Sequence, residues 1–318
     1  MTMKNLLKLF IVLFATAATA QPYPSKPIRV LVAFPPGGPV DIIARLIGPK
    51  LSDTLGQSVV IENVGGGGGN IAALRVAKSA PDGYTVLAHS SAYAVNPALL
   101  GNPGFDAEKD MIAIAVVASQ PNLIIVHADF PARSLAELIQ KAKTEKLAFA
   151  SPSSGTTPHL TAENLFKVRA KVDILHVPFK GAGPAITAVL GGQPPIGSMA
   201  GTAPMPHIKA GKVRALAVSS SRRLASLPDV PTLNELGYPG MEDYTWVGLF
   251  VPAGTPLEIA QKLNDAVLKA LQAPDLKERL DALAFEATAQ PLRETAAYVK
   301  EELVKWAKVV KDTGAKPD

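Results

Sequence analysis

Short apolar runs rich in Val and Ile alternate along the chain with longer stretches in which apolar residues return every three or four positions. The short runs fit strands buried on both faces, and the longer period fits helices with one apolar face. The pattern predicts strands over Ile28–Phe34, Val59–Glu62, Thr85–Ala88, Ile112–Ala118, Leu123–Val126, Leu147–Ala150, Ile174–Pro178, Arg214–Val218 and Val247–Val251. Between several of them it predicts helices, over Asp41–Leu55, Ile71–Ala77, Leu135–Ala142, Leu160–Phe166 and Ala185–Leu190. Such alternation predicts an α/β fold with mainly parallel sheets covered on both faces. Pro49 falls inside the first helix, where a missing N–H predicts a local bend.

The C-terminal quarter breaks the alternation, because Leu257–Gln272, Leu276–Leu283 and Thr295–Lys311 are helical in period with no strand between them. These helices need a surface to cover, and the first sheet supplies one. The chain is therefore expected to leave a first domain near Pro121, build a second over residues 122–245, and return near Trp246. Residues 21–121 and 246–318 then make up domain one. Two crossings form a hinge, and the interdomain cleft is the natural place for a small ligand.

Met1–Ala20 reads as a secretory signal peptide: Lys4 and Lys8 flank the start, Leu9–Ala15 is apolar, and Ala18-Thr19-Ala20 offers a small-residue cleavage site. The apolar run is shorter than the roughly 20 residues that span a bilayer. Cysteine is absent, which excludes disulfides and a lipid-modified cysteine tether. Cleavage would leave 30 Lys and Arg against 27 Asp and Glu, a formal balance of +3. The basic residues are scattered among acids, unlike the clustered cations and aromatics of a nucleic-acid surface.

Three strand-to-helix junctions share one design: Phe34-Pro35-Pro36-Gly37-Gly38-Pro39, Ser153-Ser154-Gly155-Thr156-Thr157-Pro158 and Lys180-Gly181-Ala182-Gly183-Pro184. In each, proline suits the first helical position, with Gly38, Thr157 or Gly183 as the cap before it. A glycine cap leaves the next N–H groups open to an anion at the positive end of the helix dipole. Three such ends, if convergent, would bind carboxylates through the backbone; each alone is also ordinary turn chemistry. Gly65–Gly69 lacks phosphate-loop spacing and reads as a connection into the helix near Asn70. The five histidines are dispersed, so no metal site is expected and no cofactor is implied. His159, one residue after Pro158, suits either the cleft or a capping role. No G-x-S-x-G motif is present; Ser90, Ser91, Ser153, Ser154 and Ser198 would serve a hydrolase of carboxylic esters only if a histidine and an acid converge on one of them.

Further motifs carry a resemblance: Tyr23-Pro24-Ser25-Lys26-Pro27-Ile28-Arg29, Ala80-Pro81-Asp82-Gly83-Tyr84-Thr85, Asn96-Pro97-Ala98-Leu99, Gly191-Gly192-Gln193, Leu227-Pro228-Asp229-Val230-Pro231-Thr232 and Pro252-Ala253-Gly254-Thr255-Pro256. With the first junction, they make the chain similar to the substrate-binding proteins of tripartite tricarboxylate transporters, the Bug family, over nearly all of its mature length. The resemblance implies a two-domain periplasmic-binding-protein fold of type II, a Venus flytrap with mixed sheets flanked by helices. It also implies a periplasmic monomer that captures a small organic acid and hands it to a two-component membrane permease. The ligand-binding positions it implies are Phe34, Pro36, Gly37 and Gly38 with Asp41, then Ser90 and Ser91. In the second domain they are Ser154, Gly155, Thr156 and Thr157 with His159, and Gly181 and Ala182.

The chain departs from the family after Gly191-Gly192-Gln193, where many members carry an acid about six positions on. Here Met199 and Ala200 stand in that region. Without that acid, a ligand ammonium loses a counter-ion and a second carboxylate loses a repulsive neighbour. Tyr93 and Trp246 are expected to stack on a ring. These departures favour an aromatic or aliphatic di- or tricarboxylate over an amino acid.

Overall fold

The computed structural model describes residues 22–317, and the signal peptide assigned to residues 1–20 lies outside them. In chain order the elements are β1 (Ile28–Val32), α1 (Pro39–Leu55), β2 (Val59–Asn63), α2 (Asn70–Ala77), β3 (Thr85–Ser90), α3 (Ala92–Leu100), β4 (Met111–His127), α4 (Leu135–Ala142) and β5 (Leu147–Ser151). They continue as α5 (Thr157–Glu163, running into a π-turn over Asn164–Arg169), β6 (Ile174–Pro178), α6 (Ala182–Leu190), β7 (Ile196–Ala200), α7 (Met205–Lys209) and β8 (Val213–Val218). The chain closes with β9 (Tyr244–Pro252), α8 (Leu257–Ala270), α9 (Pro274–Ala282), β10 (Glu286–Ala287) and α10 (Leu292–Thr313).

Strand β4 belongs to both halves of the sheet. Its first part, up to Pro121, pairs antiparallel with β9 and β10, and its remainder, from Asn122, pairs antiparallel with β7 and β8. The first half runs β2-β1-β3-β9-β4 and the second β4-β7-β5-β6, with parallel pairs only at β1–β2, β1–β3, β5–β6 and β5–β7. The expectation of mainly parallel sheets is thus corrected to mixed ones, because the crossing strands β4 and β9 run against their neighbours. The two strands predicted at 112–118 and 123–126 are one. Pro121 has no N–H to give a ladder, and it sits opposite Tyr244, next to the point where β4 changes partners.

Four elements have no counterpart in the periodicity: α3, β7, the five-residue α7 and the two-residue β10. Helix α3 is buried around most of its surface, so its sequence has no polar stripe to reveal it. Strand β7 contains Gly197, where a Cβ would lie 2.8 Å from Val189 Cγ2 and 3.1 Å from Ile125 Cγ1. Glycine there lets α6 lie close on the sheet, at the expense of strand propensity. Helix α1 continues through Pro49 to Leu55.

Buried apolar residues form four clusters, roughly one on each face of each half-sheet. The C-terminal helices cover the first half, as expected: Leu263, Val267, Leu276 and Leu280 pack with Val30 and Val86, and Trp306 packs with Leu31 and Phe250. Glu302 of α10 accepts bonds from Trp246 Nε1 at 2.8 Å and Trp306 Nε1 at 2.9 Å, which ties the helix to β9.

Candidate functional site

Three helices begin where β1, β5 and β6 end, and each carries a proline at a different place in its first turn. Gly38 caps α1 in an extended conformation with Pro39 following it. Thr156, one residue earlier than anticipated, caps α5, so Pro158 is its second residue. Gly181, two residues earlier than anticipated, caps α6 at φ 111°, which places Pro184 third. No side chain caps any of the three helices. First-turn amides have no carbonyl one turn back to bond, so each helix offers the N–H groups its proline does not remove. Among these, Val40 of α1, Thr157 of α5, and Ala182 and Gly183 of α6 line one cleft.

The loop amides ahead of the helices are spoken for. Gly37, at φ 84°, donates to Asp41 Oδ2 at 2.9 Å; Gly155 donates to His159 Nδ1 at 3.2 Å; Gly181 donates to Pro152 O at 2.7 Å. Asp41 Oδ1 also accepts from Arg45 Nε and Asn63 Nδ2, both at 2.9 Å, and Asn63 Nδ2 donates to Phe34 O at 2.9 Å. The buried Asp41 carboxylate therefore braces the loop from Phe34 to Gly38.

The cleft encloses a cavity of about 50 Å³. Phe34, Pro36, Gly38, Ser90, Thr156, Thr157, Gly181, Ala182 and Ala200, all anticipated, line it. Pro35, Pro39, Val40, Pro152, Lys180 and Thr245 join them. Their signal was partly visible in the three junctions; for Thr245, which comes from a crossing strand, there was none. A second, larger chamber of about 710 Å³ adjoins the first and shares Phe34, Pro35, Pro152, Lys180 and Gly181 with it. Ser154, Ser153, Asn96 and Gly65–Gly69 add to its walls. Among the described residues, no Asp or Glu lines either chamber, and Lys180 is the one charged side chain in both walls.

Several anticipated residues face elsewhere. Tyr93 is buried in the first-half core, stacked on Phe250 at 4.0 Å, with its hydroxyl donating to Ala107 O at 2.6 Å. Trp246 is buried and held by Glu302, so neither aromatic reaches the cleft to stack on a ring. His159 caps Gly155 and stacks on His176 at 3.8 Å; burial, with His176 and Lys167 nearby, pulls it down to about 2 and keeps it neutral. Met199 lies wholly in the second-half core, while its neighbour Ala200 meets the cleft. Gly37, Asp41, Ser91 and Gly155 support the walls without lining them. Ser151 Oγ lies 2.7 Å from His176 Nε2, and Ser151 lines neither chamber.

Behind Thr157 runs a chain of buried polar contacts: Ser91 Oγ to Thr157 Oγ1 at 2.8 Å, Thr157 Oγ1 to Thr245 Oγ1 at 2.9 Å, and Thr245 Oγ1 donating to Asn122 Oδ1 at 2.7 Å. Asn122 Nδ2, at 3.0 Å, and Thr161 Oγ1 both donate to Asp243 Oδ2. Burial pushes Asp243 up to about 6, against the pull of Lys305. The chain links the start of α5 to both crossing strands. Among the described residues, no cluster of His, Cys, Asp and Glu is placed to hold a metal ion, and no helix is long and apolar enough to cross a membrane.

A cleft built from helix starts, between half-sheets joined by two paired crossing strands, defines a two-domain solute-binding protein of the type II Venus-flytrap class. The chain belongs to the tripartite tricarboxylate transporter family receptors, whose profile matches residues 43–315. BugT of Bordetella pertussis is 37% identical over 325 residues, 99% of each chain. MatC from Rhodopseudomonas palustris, solved with bound malate, superposes with a TM-score of 0.86 at 35% identity, covering 91% of this chain and 100% of that one. An R. palustris protein solved with adipate superposes at 0.88 and 34% identity, covering 93% of this chain and 100% of that one. Members of this family are solute-binding receptors, so the chain is not an enzyme, and the alternative of an ester hydrolase falls away.

Proposed function

We propose that this protein is a periplasmic receptor that captures a small organic carboxylate and delivers it to a two-component permease of the tripartite tricarboxylate type. The observation that carries it is the convergence of amides from three helix starts without side-chain caps on one cleft that, among the described residues, no acidic side chain lines. A carboxylate placed there meets N–H donors at the positive ends of three helices, while Asp41, in the first turn of α1, is engaged by Gly37, Arg45 and Asn63 and does not line the cleft. An amino-acid ligand would find no counter-ion for its ammonium. Relatives crystallised with malate and adipate support the same ligand chemistry.

Residues 22–121 with 246–317, and residues 122–245, act as the two lobes. Donors from α1 belong to one lobe and donors from α5 and α6 to the other, so a bound carboxylate bridges them and favours closure. With Tyr93 and Trp246 in the core, the apolar part of the ligand rests on Phe34 and the prolines.

Thermal-shift screening of purified protein against carboxylates and amino acids tests this function. A cognate acid at 100 times its dissociation constant should stabilise the fold by about 2.7 kcal/mol. Stabilisation by amino acids alone would overturn the assignment, and loss of uptake in a deletion strain would support delivery to a permease.

A further inference from the structure

Four hydroxyl-bearing residues stand in the wall of the helix-start cleft: Ser90, Thr156, Thr157 and Thr245. Which of them can still donate is decided by the acceptors behind them. An ionised Asp243 only accepts, so the side of the Asn122 amide turned toward its Oδ2, at 3.0 Å, is the Nδ2 group. Asn122 Oδ1 then faces Thr245, whose one proton goes to it at 2.7 Å. Having spent that proton, Thr245 must accept the bond it shares with Thr157 at 2.9 Å. Thr157 in turn must accept from Ser91 Oγ at 2.8 Å. Thr156 gives its proton to Ser153 O at 2.8 Å. Three of the four protons are thus committed inside the protein, and those oxygens keep only lone pairs for the cleft. Ser90 Oγ accepts from Ala92 N at 3.2 Å and retains a proton to give.

A lone pair beside amide donors repels a bare carboxylate oxygen and welcomes a group that brings its own proton. Building on the receptor function above, we propose that Thr157 and Thr245 select a ligand with a hydroxyl on the carbon next to its carboxylate. The amides take the acid, and the hydroxyl gives its proton to the threonine oxygens. The enclosed space, about 50 Å³, leaves room for that donor only beside the acid group. An ammonium in the same place would find neutral oxygens but no counter-ion, with the Lys180 cation in the same wall. One neutral hydrogen bond of this kind corresponds to a preference of about fivefold.

Titration calorimetry at neutral pH tests this with matched acids: propionate and lactate, succinate and malate, glutarate and 2-hydroxyglutarate, each hydroxy acid as separate enantiomers. The O-methyl ether of the best hydroxy acid keeps the oxygen and loses the proton, so it reports the direction of the bond. The expected result is that one enantiomer of at least one hydroxy acid binds wild-type protein about fivefold better than its parent, and that the ether loses the gain. Thr245→Val should bring hydroxy acid and parent to parity, and Thr245→Ser should keep the preference; should the valine variant fail to fold, the ether comparison on wild-type protein decides. Hydroxy acids no tighter than their parents, or an ether as tight as the free hydroxyl, overturn the inference and leave the receptor function intact. A preference that survives Thr245→Val overturns the role of Thr245. Binding of alanine and aspartate but of none of these acids, or of nothing at all, overturns the receptor function and this inference with it.

Discussion

Asp243, His89 and His159 are buried ionisable side chains that set how the fold responds to acid. Burial pulls His89 down to about 4 and His159 to about 2, both below the ordinary value of 6.5. As pH falls below 6.5 the unfolded chain takes up protons that the folded one refuses, so the stability these neutral histidines contribute is lost toward their folded values. Asp243 has the opposite sign. Its folded value, about 6, lies above the ordinary 3.8, so its contribution is fully present below 3.8 and is lost as pH rises through 6. Two histidines outweigh one aspartate, and the protein should lose on the order of 2 kcal/mol between pH 7 and pH 5. Asp243→Asn should steepen that loss by about 1 kcal/mol, read from urea midpoints at each pH; parallel curves for the two proteins would contradict the assignment. At this scale the sequence was most readable where backbone conformation is decided locally. Gly38 and the prolines declare turns and helix starts by what they lack, a side chain or an N–H, whereas the caps of α5 and α6 fell at Thr156 and Gly181 rather than at Thr157 and Gly183. Tyr93 and Trp246 were misjudged because an aromatic ring goes where its partners are, and Phe250 and Glu302 are distant in the chain.

Elements were legible in proportion to how one-sided they are. Helices α4, α8 and α10 carry an apolar stripe and a polar back, and their spans were close to those predicted. Strand β7 was hidden because it trades side chains for proximity at Gly197, and the fused β4 because Pro121 looked like a boundary. Gly197→Ala should press into Val189 and Ile125 and destabilise the second lobe by about 1 to 3 kcal/mol, measured by denaturant unfolding. The attachment of α10 rests on a buried polar contact that no period reveals. Glu302→Leu would leave the indole N–H groups of Trp246 and Trp306 without an acceptor, at a cost of about 2 to 4 kcal/mol. Hydrogen exchange should then show α10 opening well before the rest of the sheet; unchanged protection of that helix would show that Glu302 does not hold it.

Across the whole molecule, opposing walls meet through residues without side chains. A Cβ at Gly155 would lie 2.7 Å from Leu99 Cδ2 and 3.1 Å from Asn96 Oδ1, and a Cβ at Gly68 would lie 3.2 Å from Ser154 O. Gly155→Ala should therefore wedge the lobes apart, lowering carboxylate affinity several-fold. Small-angle scattering should show less compaction on ligand addition than in wild-type protein, and the left-handed φ of 75° adds a stability loss of about 1 to 2 kcal/mol. Full compaction with unchanged affinity would mean that this contact does not limit closure. The paired crossings have one more consequence. Pro121 and Tyr244 face each other across adjacent strands, so the stretch from 122 to 243 enters and leaves about 5 Å apart. A cassette cut at those points is one continuous piece of gene, so exchanging it between relatives should renew the half of the cleft wall that it carries while keeping the join between the halves.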